Sequence, residues 1–216
     1  MVGIFKAKLI VFISPDGGGK TTTIYELRNL ISDKYKIHER HIRFNNIPRI
    51  GHLIFKLKHP FHRKPVFVST KSSINKPIKK HIYGKDVPVW KILIVLAYDT
   101  FDYLLGHISL FSNSSNTIYI FDRYIYDYYT ERDWRSTPRW LLRFIMCLIP
   151  KPTLTVILQN DPEVIHKRKP ELSVAEIQYT QERIDELFLG DQNTVEISTV
   201  QSPKEIAKEI VQLVGL

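Results

Sequence analysis

Leu9-Ile10-Val11-Phe12-Ile13-Ser14-Pro15-Asp16-Gly17-Gly18-Gly19-Lys20-Thr21-Thr22-Thr23-Ile24 is the stretch from which the fold can be read. Leu9 to Ile13 is a continuous apolar run, of a length suited to a strand buried on both faces. Three successive glycines follow, then Lys20 and Thr21, then apolar positions at Ile24, Leu27, Leu30 and Ile31 with helical spacing. Strand, glycine loop, Lys-Thr and helix is the order of a phosphate-binding P-loop. Loop N–H groups and the helix N-terminus present partial positive charge to an anion. The lysine reaches the β- and γ-phosphates of a nucleotide, and the threonine hydroxyl ligates Mg²⁺. The pattern G-x-x-x-x-G-K-[ST] wants glycine at position 14, where this chain has Ser14. An ordinary glycine-rich turn is the rival reading, and Gly-Lys-Thr placed just after a buried strand argues against it.

Outward from this stretch, strands and helices alternate. A second strand is expected at Tyr35–Arg43, a third at Thr117–Phe121 running into Asp122-Arg123, a fourth at Thr153–Leu158 and a short fifth at Thr194–Ile197. Helices are expected at Val89–Leu110, Arg139–Ile149, Pro162–Lys169 with Asp161 as N-cap, Ala175–Leu189 and Pro203–Leu213. Such alternation predicts an α/β fold: a parallel five-stranded sheet with helices on both faces. Ligands should bind at the carboxyl ends of its strands, where the loop, Arg43, Asp122 and Gln159 all fall. One domain is expected over 1–216, with an irregular, proline-interrupted basic segment at 45–88.

The chain has 216 residues, a formal net charge of +9 and one cysteine. A single cysteine excludes an intrachain disulfide framework and fits a reducing compartment. Cys147, inside an apolar helical run, reads as a small core residue. Trp90–Leu105 is interrupted by Lys91, Asp99 and Asp102, too polar for a membrane span, and a cytoplasmic location is expected. The positive charge concentrates between Lys34 and Lys91, opposed there only by Glu39 and Asp86. Such a block suits a phosphorylated substrate, a nucleic acid or a membrane surface, or is a solvated face. No RNA- or DNA-binding motif accompanies it.

Asp122 ends a strand expected beside the phosphate-loop strand, where a carboxylate can hold Mg²⁺ directly or through water. Arg123 next to it offers a fork for phosphoryl oxygens, unless Asp-Arg is a surface turn.

These segments together resemble thymidylate kinase. The resemblance lies in Asp16 followed by Gly-Gly-Gly-Lys-Thr-Thr, in Phe121-Asp122-Arg123-Tyr124, and in Pro152–Leu158 running into Asp161-Pro162-Glu163. It is closest to a divergent branch often encoded among bacterial polysaccharide-synthesis genes. That branch carries segments like Phe121–Asp127, Pro138–Trp140, Asp161–Ile165 and Arg168–Leu172. The resemblance implies a P-loop NTP-hydrolase-type sheet and a short lid at 161–175. It implies ATP and Mg²⁺ as cofactors, with ATP held by Ser14, Pro15, Asp16, Gly17, Gly18, Gly19, Lys20, Thr21 and Thr22, and by Lys167 and Arg168 of the lid. Thr21 and Asp122 would serve the metal, and Lys20, Asp122 and Arg123 the chemistry. Asp16, Arg43, Arg123 and Asp99 would meet a small phosphorylated acceptor. Members with glycine at the Gly17 position place a catalytic arginine in the lid, and this chain resembles those.

The acceptor side departs from the family. The middle-helix arginine is absent at Tyr98-Asp99-Thr100, Ile125–Tyr129 replaces the family's Ser/Thr and Ala-Tyr-Gln segment, and Gln159 replaces its acid. A nucleoside monophosphate is the leading acceptor. A sugar or polysaccharide-precursor kinase, a polynucleotide 5′-end kinase and a nucleotide-binding protein without turnover stay open, as does a homodimer.

Overall fold

A computed structural model describes residues 8–41, 89–112, 116–130 and 137–216. Five strands, β1 (Lys8–Ile13), β2 (Lys36–His41), β3 (Thr117–Asp122), β4 (Leu154–Gln159) and β5 (Thr194–Ser198), form one sheet in the order β2-β3-β1-β4-β5. Every pairing is parallel. The helices are α1 (Lys20–Ile31), α2 (Val89–Ser112), α3 (Asp127–Thr130), α4 (Arg139–Leu148), α5 (Pro162–Arg168), α6 (Val174–Phe188) and α7 (Pro203–Val214).

β1 is central and buried on both faces, and its side chains alternate between two cores. Leu9, Val11 and Ile13 pack with Leu96, Tyr103 and Leu110 of α2, Leu142 and Ile145 of α4, and Ile184 and Phe188 of α6. Ile10 and Phe12 pack with Ile24, Leu27 and Ile31 of α1 and with Ile206, Ala207 and Ile210 of α7. Helices therefore cover both faces, as the alternation of elements predicts. Phe12 registers with Asp122 of β3, so the loop after β1 and the acid ending β3 emerge side by side.

One expectation about burial fails. Cys147 is exposed. The run Arg139–Ile149 is apolar around most of its circumference, and α4 can turn only Leu142 and Ile145 fully into the core, leaving Trp140, Phe144 and Leu148 outside. α2 is likewise only partly buried: Leu93, Ile94, Phe101 and Ile108 are exposed. Residues 45–88, the expected irregular segment, lie outside the described residues. Among the described residues no helix is long and apolar enough to cross a membrane.

Candidate functional site

The loop from Ser14 to Gly19 leaves β1 and delivers the chain to α1. Gly17 and Gly19 take left-handed backbone conformations, with φ of 92° and 93°, which L side chains disfavour. Gly18 is needed for a different reason. A Cβ there would stand 2.4 Å from the Ser14 hydroxyl oxygen, so the serine occupies space that only glycine at 18 leaves. The Ser14 hydroxyl donates to the Pro15 carbonyl at 3.0 Å.

Gly19 is the N-cap of α1 and supplies no side-chain cap. In contrast, Asp161 caps α5, and capping boxes of Ser173 with Glu176 and Ser202 with Glu205 close α6 and α7. An uncapped helix start facing a glycine loop leaves its N–H donors for an anion. A cavity of about 480 Å³ opens there, lined by Asp16 to Thr22, His41, Asp122, Arg123, Arg168 and Lys169.

Lys20 is only 7% exposed. Its ammonium donates to the Ser14 carbonyl at 2.7 Å, the Ser14 hydroxyl at 3.1 Å and the Pro15 carbonyl at 3.3 Å. Burial pushes its pKa down, against the opposing pull of the Asp127 and Asp122 carboxylates. Asp122 ends β3 with one oxygen, Oδ2, 3.5 Å from His41 Nδ1 at the end of β2. Its other oxygen, Oδ1, is buried and accepts no hydrogen bond among the described residues. A buried carboxylate oxygen without a donor, with Thr21 on the same cavity, fits a hard divalent cation.

Arg123 follows with φ of 76°, a left-handed conformation that is rare outside glycine. Its guanidinium bridges two acids, Asp16 Oδ1 at 2.5 Å and Asp127 Oδ2 at 3.4 Å. Lys169 Nζ approaches Asp16 Oδ2 at 3.6 Å and Glu171 at 3.1 Å. Burial raises the pKa of Asp16, but Arg123, Lys20 and Lys169 outweigh it and hold the carboxyl below its ordinary value.

The structure thus gathers Asp16, the glycines, Lys20, Thr21, Thr22, Asp122, Arg123 and Arg168 around one cavity. Ser14 and Pro15 hold Lys20 from behind. Two described sequence candidates fall elsewhere. Lys167 is exposed on α5 and does not line the cavity. Asp99 is 4% exposed on α2 and accepts the Tyr128 hydroxyl. Arg43 lies outside the described residues. Gln159, also placed at the strand ends, donates to Asp185 at 2.7 Å rather than facing the cavity. His41, Lys169 and Asp127 were not singled out from the sequence. Asp127 sits four residues after Arg123, but Arg123 precedes α3 in a left-handed conformation, so no local periodicity announces the pair.

A tyrosine-rich wall backs the site. Tyr128 binds Asp99, and Tyr129 donates to Glu186 at 2.8 Å, which fastens α3 to α2 and α6. His107 Nδ1 donates to the Tyr103 carbonyl at 2.7 Å, so in the neutral ring Nε2 accepts the Tyr124 hydroxyl at 2.9 Å. Burial favours that neutral form, against the pull of the Tyr103 and Pro150 carbonyls.

No protein-family model matches the sequence, and no curated protein matches it. Among solved structures, the thymidylate kinase of Ehrlichia chaffeensis is similar, with a TM-score of 0.56 and 16% sequence identity. The likeness covers 97% of this chain and 98% of that one. At that identity it shows the fold alone: an α/β architecture with a five-stranded all-parallel sheet, similar to that of thymidylate kinase.

Proposed function

We propose that this chain is an ATP- and Mg²⁺-dependent phosphotransferase that moves the γ-phosphoryl group of ATP to a nucleoside monophosphate or a similar small acceptor. The observation that carries the reading is the pairing of an α1 start without a side-chain cap from Gly19, with Lys20 buried beneath it, and an Asp122 oxygen on the adjacent strand that is buried without a donor among the described residues. ATP phosphates would take over the Lys20 ammonium from the loop carbonyls and lie along the loop N–H groups. Thr21 and Asp122 would hold Mg²⁺, which when bound neutralises phosphate charge. An acceptor oxygen forms the new bond to the γ-phosphorus while the bond to the β,γ-bridging oxygen breaks and ADP leaves. Arg123 and Arg168 would balance charge on the transferred oxygens, and α5 with Lys169 would exclude water.

One observation favours a second acceptor class. Arg123 is matched by two carboxylates, Asp16 and Asp127, so the acceptor side presents oxygens that accept hydroxyl donors as readily as cations that attract phosphate. A sugar or polysaccharide precursor fits such a surface.

Calorimetric titration of an ATP analogue into the parent and Lys20→Ala tests the nucleotide site. We expect affinity to fall about tenfold or more, as for loss of a charge-assisted hydrogen-bonding group. Unchanged affinity in a folded Lys20→Ala protein removes the phosphate-loop assignment.

A further inference from the structure

Away from the cavity, α4 presents an unusual face. Leu142 and Ile145 turn inward, whereas Trp140, Phe144 and Leu148 are 71%, 57% and 47% exposed. These three stand at i, i+4 and i+8, one above another along a single stripe of the helix. Arg139, Arg143 and Cys147 form the stripe beside it, and all three are exposed. Between Thr137 and Lys151 the chain carries three cations and no carboxylate, and of the three only Lys151 has an acid to itself, Asp191 at 2.9 Å. Arg139 and Arg143 share a single acid, Glu186, at 3.6 and 3.1 Å, and Arg183 uses that acid as well. Arg183 is itself buried, so the surface surplus comes from the exposed Arg139 and Arg143, two guanidinium groups that share one carboxylate beside the apolar stripe.

We propose that α4 seats this protein on the surface of an anionic phospholipid bilayer. A bulky Trp/Phe/Leu stripe bordered by arginine is the chemistry of a helix that lies in the membrane interface. The aromatic rings enter the boundary between headgroups and acyl chains, and the guanidinium groups meet lipid phosphates and carboxylates. Ten residues rise about 15 Å, half of a bilayer core of about 30 Å, so α4 would lie along the surface rather than cross it. The chain's overall charge of +9 adds long-range attraction of the same sign. A second copy of this chain would bring arginine against arginine, which makes it the poorer occupant.

The test is co-sedimentation of the full chain with vesicles of phosphatidylcholine alone and of phosphatidylcholine mixed with phosphatidylserine. We expect binding to the mixed vesicles and not to the neutral ones. Trp140→Ser with Phe144→Ser should lower that partition about tenfold or more, and Arg139→Gln about threefold to fivefold. Circular dichroism and ATP-analogue binding like the parent's establish that the variants are folded and that the nucleotide site is untouched. Absence of binding to mixed vesicles overturns the proposal. So does a double variant that binds like the parent, which would move the attraction to another part of the chain. A parent dimer that the double variant dissolves, with vesicles ignored by both, would assign the face to a second copy and also overturns it.

Discussion

Ser14 stands where the phosphate-loop pattern has glycine, and its neighbourhood shows why the loop survives the change. Gly18 has no Cβ to meet the serine, and the serine returns a hydroxyl and a carbonyl to Lys20. The departure is therefore paired with a compensation inside the same loop. Asp122 poses a sharper question, because its Oδ1 is buried without a donor among the described residues. A structural acid would not leave a buried oxygen in that condition without cost. If that oxygen serves Mg²⁺, Asp122→Asn keeps the shape and removes the charge. Mg²⁺-dependent turnover should then fall about a hundredfold or more, while metal-free nucleotide binding persists. Activity equal to the parent's across a Mg²⁺ titration would make the acid structural. Lys20, Thr21, Asp122 and Arg123 were legible in the sequence because each sits in a local pattern tied to a strand end. His41 and Lys169 were not, since they reach the cavity only through the packing of β2 beside β3 and of α5 against the loop.

At the scale of elements, the contact between α5 and the phosphate loop depends on Gly17. A Cβ at that position would meet Lys169 Cβ at 3.0 Å and the Ile165 carbonyl at 3.2 Å, in a backbone conformation that already disfavours side chains. Gly17→Ala should therefore lose about 1–2 kcal/mol from the left-handed backbone alone, and more if the end of α5 cannot give way. Urea denaturation measures the first effect. Hydrogen exchange measures the second, with faster exchange expected at Lys169, whose N–H bonds to the Ile165 carbonyl at 3.0 Å. Unchanged protection there would mean that α5 does not rest on Gly17. The elements themselves were largely legible: β1 alternates between two cores, as a central parallel strand must, and Asp161 caps α5. The facing of α2 and α4 was not. Both are apolar around much of their circumference, so periodicity could not say which stripe meets the sheet. Cys147 fell on the outer stripe for that reason.

On the proposed phosphotransferase reading, the identity of the acceptor belongs to the scale of the whole molecule, and the wall behind the site bears on it more than the fold does. In thymidylate kinases, as the sequence resemblance has it, an arginine on the middle helix contacts the bound nucleotide. The corresponding stretch of α2 is Tyr98-Asp99-Thr100, and its polar groups are engaged elsewhere. Asp99 is held by Tyr128, and the Thr100 hydroxyl donates to the Leu96 carbonyl at 2.6 Å within its own helix. A pocket that recognises one base through buried donors discriminates strongly, and one that lacks the donor loses that ligand. Arg123, a cation on the cavity, is shared by Asp16 and Asp127 rather than held for a single phosphate. We therefore predict that thymidine monophosphate is a poor acceptor. Steady-state turnover with thymidine, uridine and cytidine monophosphates, beside phosphorylated and unphosphorylated sugars, measures this directly. Sugars preferred over all three nucleotides would match the two carboxylates flanking Arg123. A kcat/KM for thymidine monophosphate near about 10⁴ M⁻¹s⁻¹ or above would refute the prediction, because a site without the helix arginine would then be recognising the base by other groups.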